Sequence, residues 1–293
     1  MRAKIITFIN TRVLDMKRIA RALLMGLTLP HIAKSDEFIT FFAHGLGGDK
    51  TQGHYYHINS RHNGFIQGTL ETFNFKDYLN PRSSCLGQNS DIEVLHEVTK
   101  SFKKVILVGV SRGAATIINY LGSQQPSQVV ASVLESPFDT VQTIAKYTAS
   151  LSGSFIFNPE MYTHFDPNGI QPIKVAQNVS SQIPILLICS KQDRLIPASS
   201  TIVLYKKMVL AGHKKVHILV LDKGKHANIL WDEQGDIYRD VVHAFYKAYN
   251  LPHNEEFAQA GAFYFEQTTP NLEEVDMASH KIGQTTSITL HAR

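Results

Sequence analysis

A serine set between two glycines is the residue of this chain best placed for nucleophilic chemistry. It lies in Gly109-Val-Ser-Arg-Gly113, directly after the apolar run Val105–Val110 and before a helical pattern of small and apolar residues. The string alone is weak evidence, but a nucleophile elbow between a strand and a helix requires this setting. Such a turn strains the serine backbone and lifts its hydroxyl clear of the sheet, while the glycines let neighbouring backbone approach without a Cβ clash. Ser111 is therefore the predicted nucleophile.

A serine hydroxyl is a poor nucleophile by itself, so the hypothesis requires a general base and a carboxylate that orients the base. His226 follows the predicted strand Val216–Leu221, where a loop can bring it over the end of the sheet, and is the predicted base. Asp193 follows the predicted strand Ile185–Cys189 and is the predicted carboxylate. The resulting order along the chain, Ser then Asp then His, is a known order for such triads.

Two other aspartates stay open as alternatives to Asp193. Asp139 follows the predicted strand that ends near Leu134. Asp222 is closer to His226 in the sequence, but we expect it to remain on its strand. Asp193 is preferred because it follows its strand directly and keeps the chain order of the triad.

Acyl transfer also needs two backbone N–H groups aimed at the oxygen that becomes negative. The amide of Arg112, the residue after the serine, is one predicted donor because it begins a helix. The other is the amide of Leu46 in His44-Gly-Leu-Gly-Gly48, the turn after the predicted strand Phe38–Ala43. The side chain of Arg112 would in addition bring a cation to the site and favour anionic substrates.

Alternating strand and helix patterns must position these residues. The strands are apolar runs, most of them rich in β-branched residues, predicted at Phe38–Ala43, Glu71–Phe75, Val105–Val110, Val129–Leu134, Ile185–Cys189 and Val216–Leu221. Helices are predicted from Ser90 onward, over Arg112–Leu121, over Thr201–Leu210 and at about 233–249. Ser90 and Glu93 have the spacing of a capping box at the start of the first of these helices. The alternation predicts an α/β fold whose mainly parallel, twisted sheet carries helices on both faces.

The pattern divides the chain into three parts. Residues 38–250 form the predicted α/β domain, with a short cap insertion at 139–182. Aromatic residues of the cap and its border provide either an apolar wall for an acyl or aromatic group or the packing of the cap itself: Phe138, Tyr147, Phe155, Phe157, Tyr162 and Phe165. Residues 251–293 are predicted to be an appended C-terminal tail, loosely packed or disordered from Thr268.

Residues 1–37 have two interpretations. Met16-Lys-Arg-Ile-Ala-Arg followed by Ala22–Leu29 has the basic and apolar regions of a signal peptide that would start at Met16. The alternative is an amphipathic helix packed on the domain. The first implies export and the second a cytoplasmic protein, and the sequence favours neither. No apolar run reaches the roughly 18 residues of a membrane span, so no transmembrane segment is predicted.

Composition argues against two other classes of protein. The net charge of +4 comes without a dense run of basic residues, so we expect no nucleic-acid partner. The two cysteines, Cys85 and Cys189, form no C-x-x-C pair and no disulfide framework. A zinc-binding, redox-active or disulfide-stabilised protein is therefore not expected.

Two motifs near the N-terminal side of the domain resemble ligand sites but lack essential residues. Gly45-Leu-Gly-Gly-Asp-Lys-Thr51 is similar to a phosphate-binding loop, yet Asp49 stands where backbone amides of a glycine must meet the phosphate. His54, His57 and His62 share one loop, but their spacing fits no helix face. No nucleotide, other cofactor or metal is therefore predicted.

Taken together, four pieces of the chain resemble the α/β-hydrolase superfamily over residues 38–249: His44-Gly-Leu-Gly-Gly, Gly109-Val-Ser-Arg-Gly, Glu135-Ser-Pro-Phe and Asp193-Arg-Leu-Ile-Pro. They are most similar to small serine hydrolases related to serine aminopeptidases, acyl-protein thioesterases and monoacyl-lipid esterases. The resemblance implies a cofactor-free hydrolase that cleaves a carboxylic ester or thioester of a small-molecule or lipid-like acyl substrate through an acyl-enzyme. A serine peptidase of the same fold and a non-catalytic binding protein of that fold are the alternatives. The sequence makes no prediction about the oligomeric state.

Overall fold

Six strands form the centre of the computed structural model, which describes residues 37–58, 64–151 and 156–269. In chain order the strands are β1 (Ile39–Ala43), β2 (Thr69–Thr72), β3 (Val105–Val110), β4 (Val129–Glu135), β5 (Ile185–Ser190) and β6 (Val216–Leu221). Their order across the sheet is β2-β1-β3-β4-β5-β6, and each neighbouring pair is parallel. Because the carboxyl ends of parallel strands meet at one edge, the residues that follow β1, β3, β5 and β6 gather there.

Helices cover this sheet and connect its strands. In chain order they are α1 (Gln52–Tyr55), α2 (Asn89–Thr99), α3 (Arg112–Gln124), α4 (Val141–Ser150), α5 (Pro172–Val175), α6 (Ala198–Leu210), α7 (Gly235–Ala248) and α8 (Glu255–Glu266). Short 3₁₀ turns lie at Pro81–Ser83, Pro159–Met161, Ala176–Asn178 and Ile229–Trp231. The predicted parallel α/β architecture is confirmed, and β3 and β6 have their predicted bounds. The predicted strand Glu71–Phe75 instead begins at Thr69, where its parallel register pairs that residue with Ile39.

Successive residues of the central strands point into two different cores, one on each face of the sheet. Phe41 and Leu107 belong to the core beneath α2, α3 and α6. Phe42 and Ile106 belong to the core beneath α7. This alternation follows from the two-residue period of a strand, and it explains why strands buried on both faces appear as continuous apolar runs in the sequence.

The structure differs from the sequence prediction in the segment from residue 251. Helix α8 lies there, and its N-cap residue Asn254 accepts a hydrogen bond through its side chain from the Phe257 amide at 3.1 Å. A Cβ at Gly261 would lie 2.1 Å from the Asp240 carbonyl oxygen, so α8 packs directly onto the backbone of α7. The side of α8 that faces the domain carries Ala258, Gly261 and Phe265 at helical spacing, a pattern that the sequence analysis missed.

The start of α2 also differs from the predicted capping box. The helix begins one residue before Ser90, and no side chain caps its first turn from the N-cap position. The Ser90 hydroxyl donates to Cys85 Sγ at 3.2 Å instead, while the carboxylate of buried Asp91 accepts from the Gly87 amide at 2.9 Å. A local hydrogen bond from Gly87 to Asp91 is therefore present in place of the predicted capping box.

Some predictions fall on residues that the structure does not describe. These are the N-terminal segment up to residue 36, His62, Phe155, and the C-terminal tail from residue 270. Within the described ranges, no helix is both long enough and apolar enough to cross a membrane.

Candidate active site

The turn between β3 and α3 holds Ser111 in a strained backbone conformation. Its φ of 56° and ψ of −118° are values that residues with a side chain rarely adopt. A Cβ at Gly113 would lie 2.0 Å from the Ala43 carbonyl oxygen, and one at Gly109 would lie 2.8 Å from the Ala114 nitrogen. Glycine is required at both positions, because neighbouring backbone approaches the turn too closely for a side chain. This is the arrangement that the sequence pattern predicts.

A continuous hydrogen-bonded chain joins the serine, histidine and aspartate that the sequence singles out. His226 Nε2 lies 3.0 Å from Ser111 Oγ, and His226 Nδ1 lies 2.7 Å from Asp193 Oδ2. In the matching tautomer, Nδ1–H donates to the carboxylate and Nε2 accepts from the serine hydroxyl. The other oxygen of Asp193 accepts from the amides of Leu195 and Ile196 at 2.8 and 2.9 Å. The buried carboxylate is therefore held in place from both sides.

The two alternative aspartates lie in other hydrogen-bonding environments. The carboxylate of Asp139 accepts from the hydroxyls of Ser200 and Thr143, at 2.7 and 3.1 Å. Asp222 forms an ion pair with Lys191 at 2.6 Å. Of the three carboxylates, the structure brings only that of Asp193 to His226.

The predicted amide donors, Leu46 and Arg112, line the same cavity as Ser111 and His226. Arg112 is the first residue of α3, and the amides of a first helical turn have no acceptor within their own helix. Both residues thus lie on the wall of the cavity at Ser111, and the role of their amides as oxyanion donors stays a prediction.

His44 shapes the turn that carries Leu46, a role that the sequence analysis missed. Burial lowers the pKa of His44 to about 4, because it removes solvent from the charged ring. The neutral ring donates from Nδ1 to the Gly45 carbonyl at 2.8 Å and accepts at Nε2 from the Phe75 amide at 3.3 Å. The Gly45 amide donates to Gln52 Oε1 at 3.0 Å. The signal was available, since His44 directly precedes the glycine-rich turn.

The side chain of Arg112 does not bring a free cation to the site, which corrects the expectation of a bias toward anionic substrates. Its guanidinium is buried and forms two hydrogen bonds with Asp77, at 2.6 and 2.9 Å. It also lies 3.4 Å from Asp91 and 4.3 Å from the centre of the Phe75 ring. Two buried carboxylates thus neutralise the cation, because a charge taken out of water needs partners of opposite sign.

Glu135, at the end of β4, is a second group that the sequence analysis missed. Its carbonyl accepts from the Ser111 amide at 2.8 Å, and its side chain is fully buried. Oε2 accepts from the hydroxyls of Tyr56 and Tyr238 at 3.0 and 3.1 Å. Burial raises the pKa of Glu135 to about 7, against the pull of these two hydrogen bonds. The carboxyl therefore stays largely protonated below neutral pH.

An apolar cavity of about 240 Å³ opens at Ser111. Its walls are formed by side chains from the turn after β1, the segment before α2, the cap with its border and the loop after β5, namely Leu46, Leu86, Phe138, Val141, Ile144, Phe157, Tyr162, Leu195 and Ile196. Of the other predicted cap aromatics, Tyr147 donates to the Asp193 carbonyl at 2.9 Å and Phe165 packs beside the cap cluster. The cap thus supplies one wall of the cavity and a brace for the aspartate loop.

Metal-binding side chains are not clustered in the part of the chain that the structure describes. No group of three or more histidine, cysteine, aspartate or glutamate side chains has a metal-binding arrangement within those ranges. His57, from the histidine-containing loop, has Nε2 at 3.1 Å from the Gly68 carbonyl oxygen.

The strand order and the serine turn define an α/β-hydrolase fold, and solved structures agree. The esterase Pf2001 of Pyrococcus furiosus has a TM-score of 0.51 at 16% identity, over 73% of this chain and 83% of that one. The protein BpoC of Mycobacterium tuberculosis H37Rv has a TM-score of 0.52 at 13% identity, over 73% of this chain and 93% of that one. At these identities the likeness concerns the fold alone.

The chain belongs to the prolyl oligopeptidase family, whose sequence profile matches residues 94–250. The matched region includes Ser111, Asp193 and His226. A curated relative, the uncharacterized protein YfhR of Escherichia coli (strain K12), is 31% identical over 161 residues. That alignment covers 55% of this chain and 51% of YfhR, so the chain spans about half the length of the curated relatives it matches.

Proposed function

We propose that this protein is a serine hydrolase that cleaves a carboxylic ester or thioester through an acyl-enzyme intermediate. The observation that carries the proposal is the hydrogen-bonded chain from Ser111 Oγ through His226 to Asp193. The strained serine turn and the adjoining apolar cavity support it. No part of this chemistry needs a cofactor.

In the proposed reaction, Ser111 Oγ attacks the acyl carbonyl carbon while His226 Nε2 takes the hydroxyl proton. The amides of Leu46 and Arg112 stabilise the resulting oxyanion. The tetrahedral intermediate collapses, and the alcohol or thiol leaves with the proton from His226. A water molecule, deprotonated by His226, then attacks the acyl-enzyme; the acid is released, and Ser111 regains its proton. Asp193 stabilises the imidazolium of His226 during both the formation and the hydrolysis of the acyl-enzyme.

The character of the cavity favours an ester or thioester of a small-molecule or lipid-like acyl group over a peptide. A peptide brings amide groups into the site, and each buried amide without a partner costs about 1–3 kcal/mol. Among the lining side chains, Gln52 is bonded to Gly45 and the guanidinium of Arg112 to Asp77. An apolar acyl group needs no such partners. Membership of the prolyl oligopeptidase family favours a peptidase as the second candidate.

The test is labelling with a fluorescent fluorophosphonate, which reacts with an activated serine. We expect the native wild type to be labelled, and Ser111→Ala and heat-denatured wild type to be unlabelled. Ser111→Ala should lower kcat on an ester panel by about four to six orders of magnitude, with an unchanged circular dichroism spectrum.

Each contrary outcome selects an alternative. Full activity of Ser111→Ala would refute the assignment of the nucleophile. A well-folded wild type that is neither labelled nor active on esters, thioesters and peptides would point to a binding protein. Faster cleavage of acyl-peptide amides than of matched esters would point to the peptidase.

A further inference from the structure

The walls of the cavity at Ser111 indicate which part of a substrate it can hold. Six of its apolar side chains are almost fully buried in one cluster that also contains Ala115 of α3, and these are Leu86, Phe138, Val141, Ile144, Phe157 and Ile196. Tyr162 stacks on Phe157, with ring centres 5.1 Å apart. The part of the substrate that enters must therefore be uncharged and apolar, because a polar group would lose its water without gaining a partner.

The volume of the cavity sets the size of that group. A protein cavity of about 150 Å³ lined by aliphatic and aromatic side chains holds benzene, which has six carbon atoms. By proportion, the 240 Å³ cavity holds about ten carbon atoms. An acetyl group would leave most of this apolar space unfilled, and a sixteen-carbon chain would exceed it.

Hydrogen bonds hold the cap wall in place, so the wall can limit the size of the group that enters the cavity. The Val141 amide at the start of α4 donates to Gln171 Oε1 at 3.0 Å. Near the end of α4, Tyr147 donates to the Asp193 carbonyl at 2.9 Å, and Thr148 Oγ1 accepts from the Phe157 amide at 2.9 Å. A wall fixed at both ends of α4 can discriminate between acyl chains by length.

We infer that the cavity accepts a straight acyl chain of medium length, about six to ten carbon atoms, and that Ile144, a side chain of α4 on the cavity wall, contributes to this limit. The inference rests on the proposed function and names the acyl group of its substrate. Each methylene buried against the wall should raise kcat/KM by up to about fourfold until the cavity is full.

The test is the rate of hydrolysis of p-nitrophenyl esters with acyl chains of 2, 4, 8, 12 and 16 carbon atoms. We expect kcat/KM to rise at least tenfold from acetate to octanoate and to fall again by palmitate. Ile144→Phe should shift the preferred length toward butyrate, and Ile144→Ala should shift it toward dodecanoate. Opposite shifts at one position cannot come from general damage to the fold. Leu210→Phe is the matched control, since it adds similar bulk at an exposed position of α6 outside the cavity.

The outcomes separate this inference from the proposed function. A labelled, active enzyme with its highest kcat/KM on acetate or on palmitate would overturn the inference and leave the serine hydrolase intact. Equal effects of both Ile144 variants on every ester would likewise overturn the role of Ile144. A folded protein that is neither labelled nor active on any ester would instead overturn the proposed function.

Discussion

The buried carboxyl of Glu135 should lower the stability of the protein as the pH rises, which is a direction that few carboxyl groups produce. Replacing it by glutamine keeps its shape and an oxygen that can accept from Tyr56 and Tyr238, but removes its titration. Oε1, the second oxygen, has no hydrogen-bond partner among the described residues. Ionisation would therefore leave a charge in the core with only two hydroxyl donors.

The magnitude follows from the difference between the folded and unfolded states. The pKa of Glu135 is about 7 in the folded protein, against an ordinary value of 4.5. Below pH 4.5 both states hold the proton, and the stability of the neutral form is fully present. As the pH rises toward 7, the unfolded chain releases the proton first, so the free energy of unfolding falls. The total loss is about 3 kcal/mol, at ~1.4 kcal/mol for each pKa unit.

Urea denaturation of wild type and Glu135→Gln at half-unit intervals from pH 5 to 8.5 measures this effect. We expect the free energy of unfolding of wild type, relative to the variant, to fall by about 2–3 kcal/mol over this range. Glu160→Gln makes the same change of residue type at an exposed position and is the matched control. If the wild-type and Glu135→Gln profiles run parallel within about 0.5 kcal/mol, Glu135 ionises normally and the reasoning is wrong.

Two further substitutions probe the elements around Ser111. Asp77→Ala removes one partner of the buried Arg112 and should lower the free energy of unfolding by about 3 kcal/mol, as measured by urea denaturation. Gly113→Ala places a Cβ against the Ala43 carbonyl and should cost about 2–3 kcal/mol while abolishing fluorophosphonate labelling, because the serine turn must move.

Each of these substitutions has a matched control in the chain. Glu93→Ala removes an exposed ion pair with Lys76 and should change the free energy of unfolding by less than about 0.5 kcal/mol. Gly212→Ala occupies open space at a φ of +86°, so it should cost only about 1 kcal/mol of backbone strain and leave labelling unchanged. If a substitution and its control lowered the free energy of unfolding equally, the stated physical reason for that substitution would be wrong.

The sequence by itself determined the parallel sheet and the order of its elements, because apolar runs and helical periods are local patterns. It also indicated Ser111, His226 and Asp193 as one group. Residues that follow parallel strands must meet at the same edge of the sheet, whatever their separation along the chain. That rule needs only the ends of the strands, which lay within a few residues of their predicted positions.

The tertiary structure alone decided how the surrounding groups are paired and charged. Glu135 meets hydroxyls 79 and 103 residues away in the sequence, and Arg112 meets Asp77 at a separation of 35. Such contacts have no period that a local pattern could reveal. Burial raises the pKa of Glu135, and the carboxylates of Asp77 and Asp91 neutralise the charge of Arg112. The packing of α8 on α7 also depends on a backbone approach at Gly261. The sequence specifies the type of each side chain, but the exposure of that side chain to solvent and its interaction partners depend on how distant segments pack together.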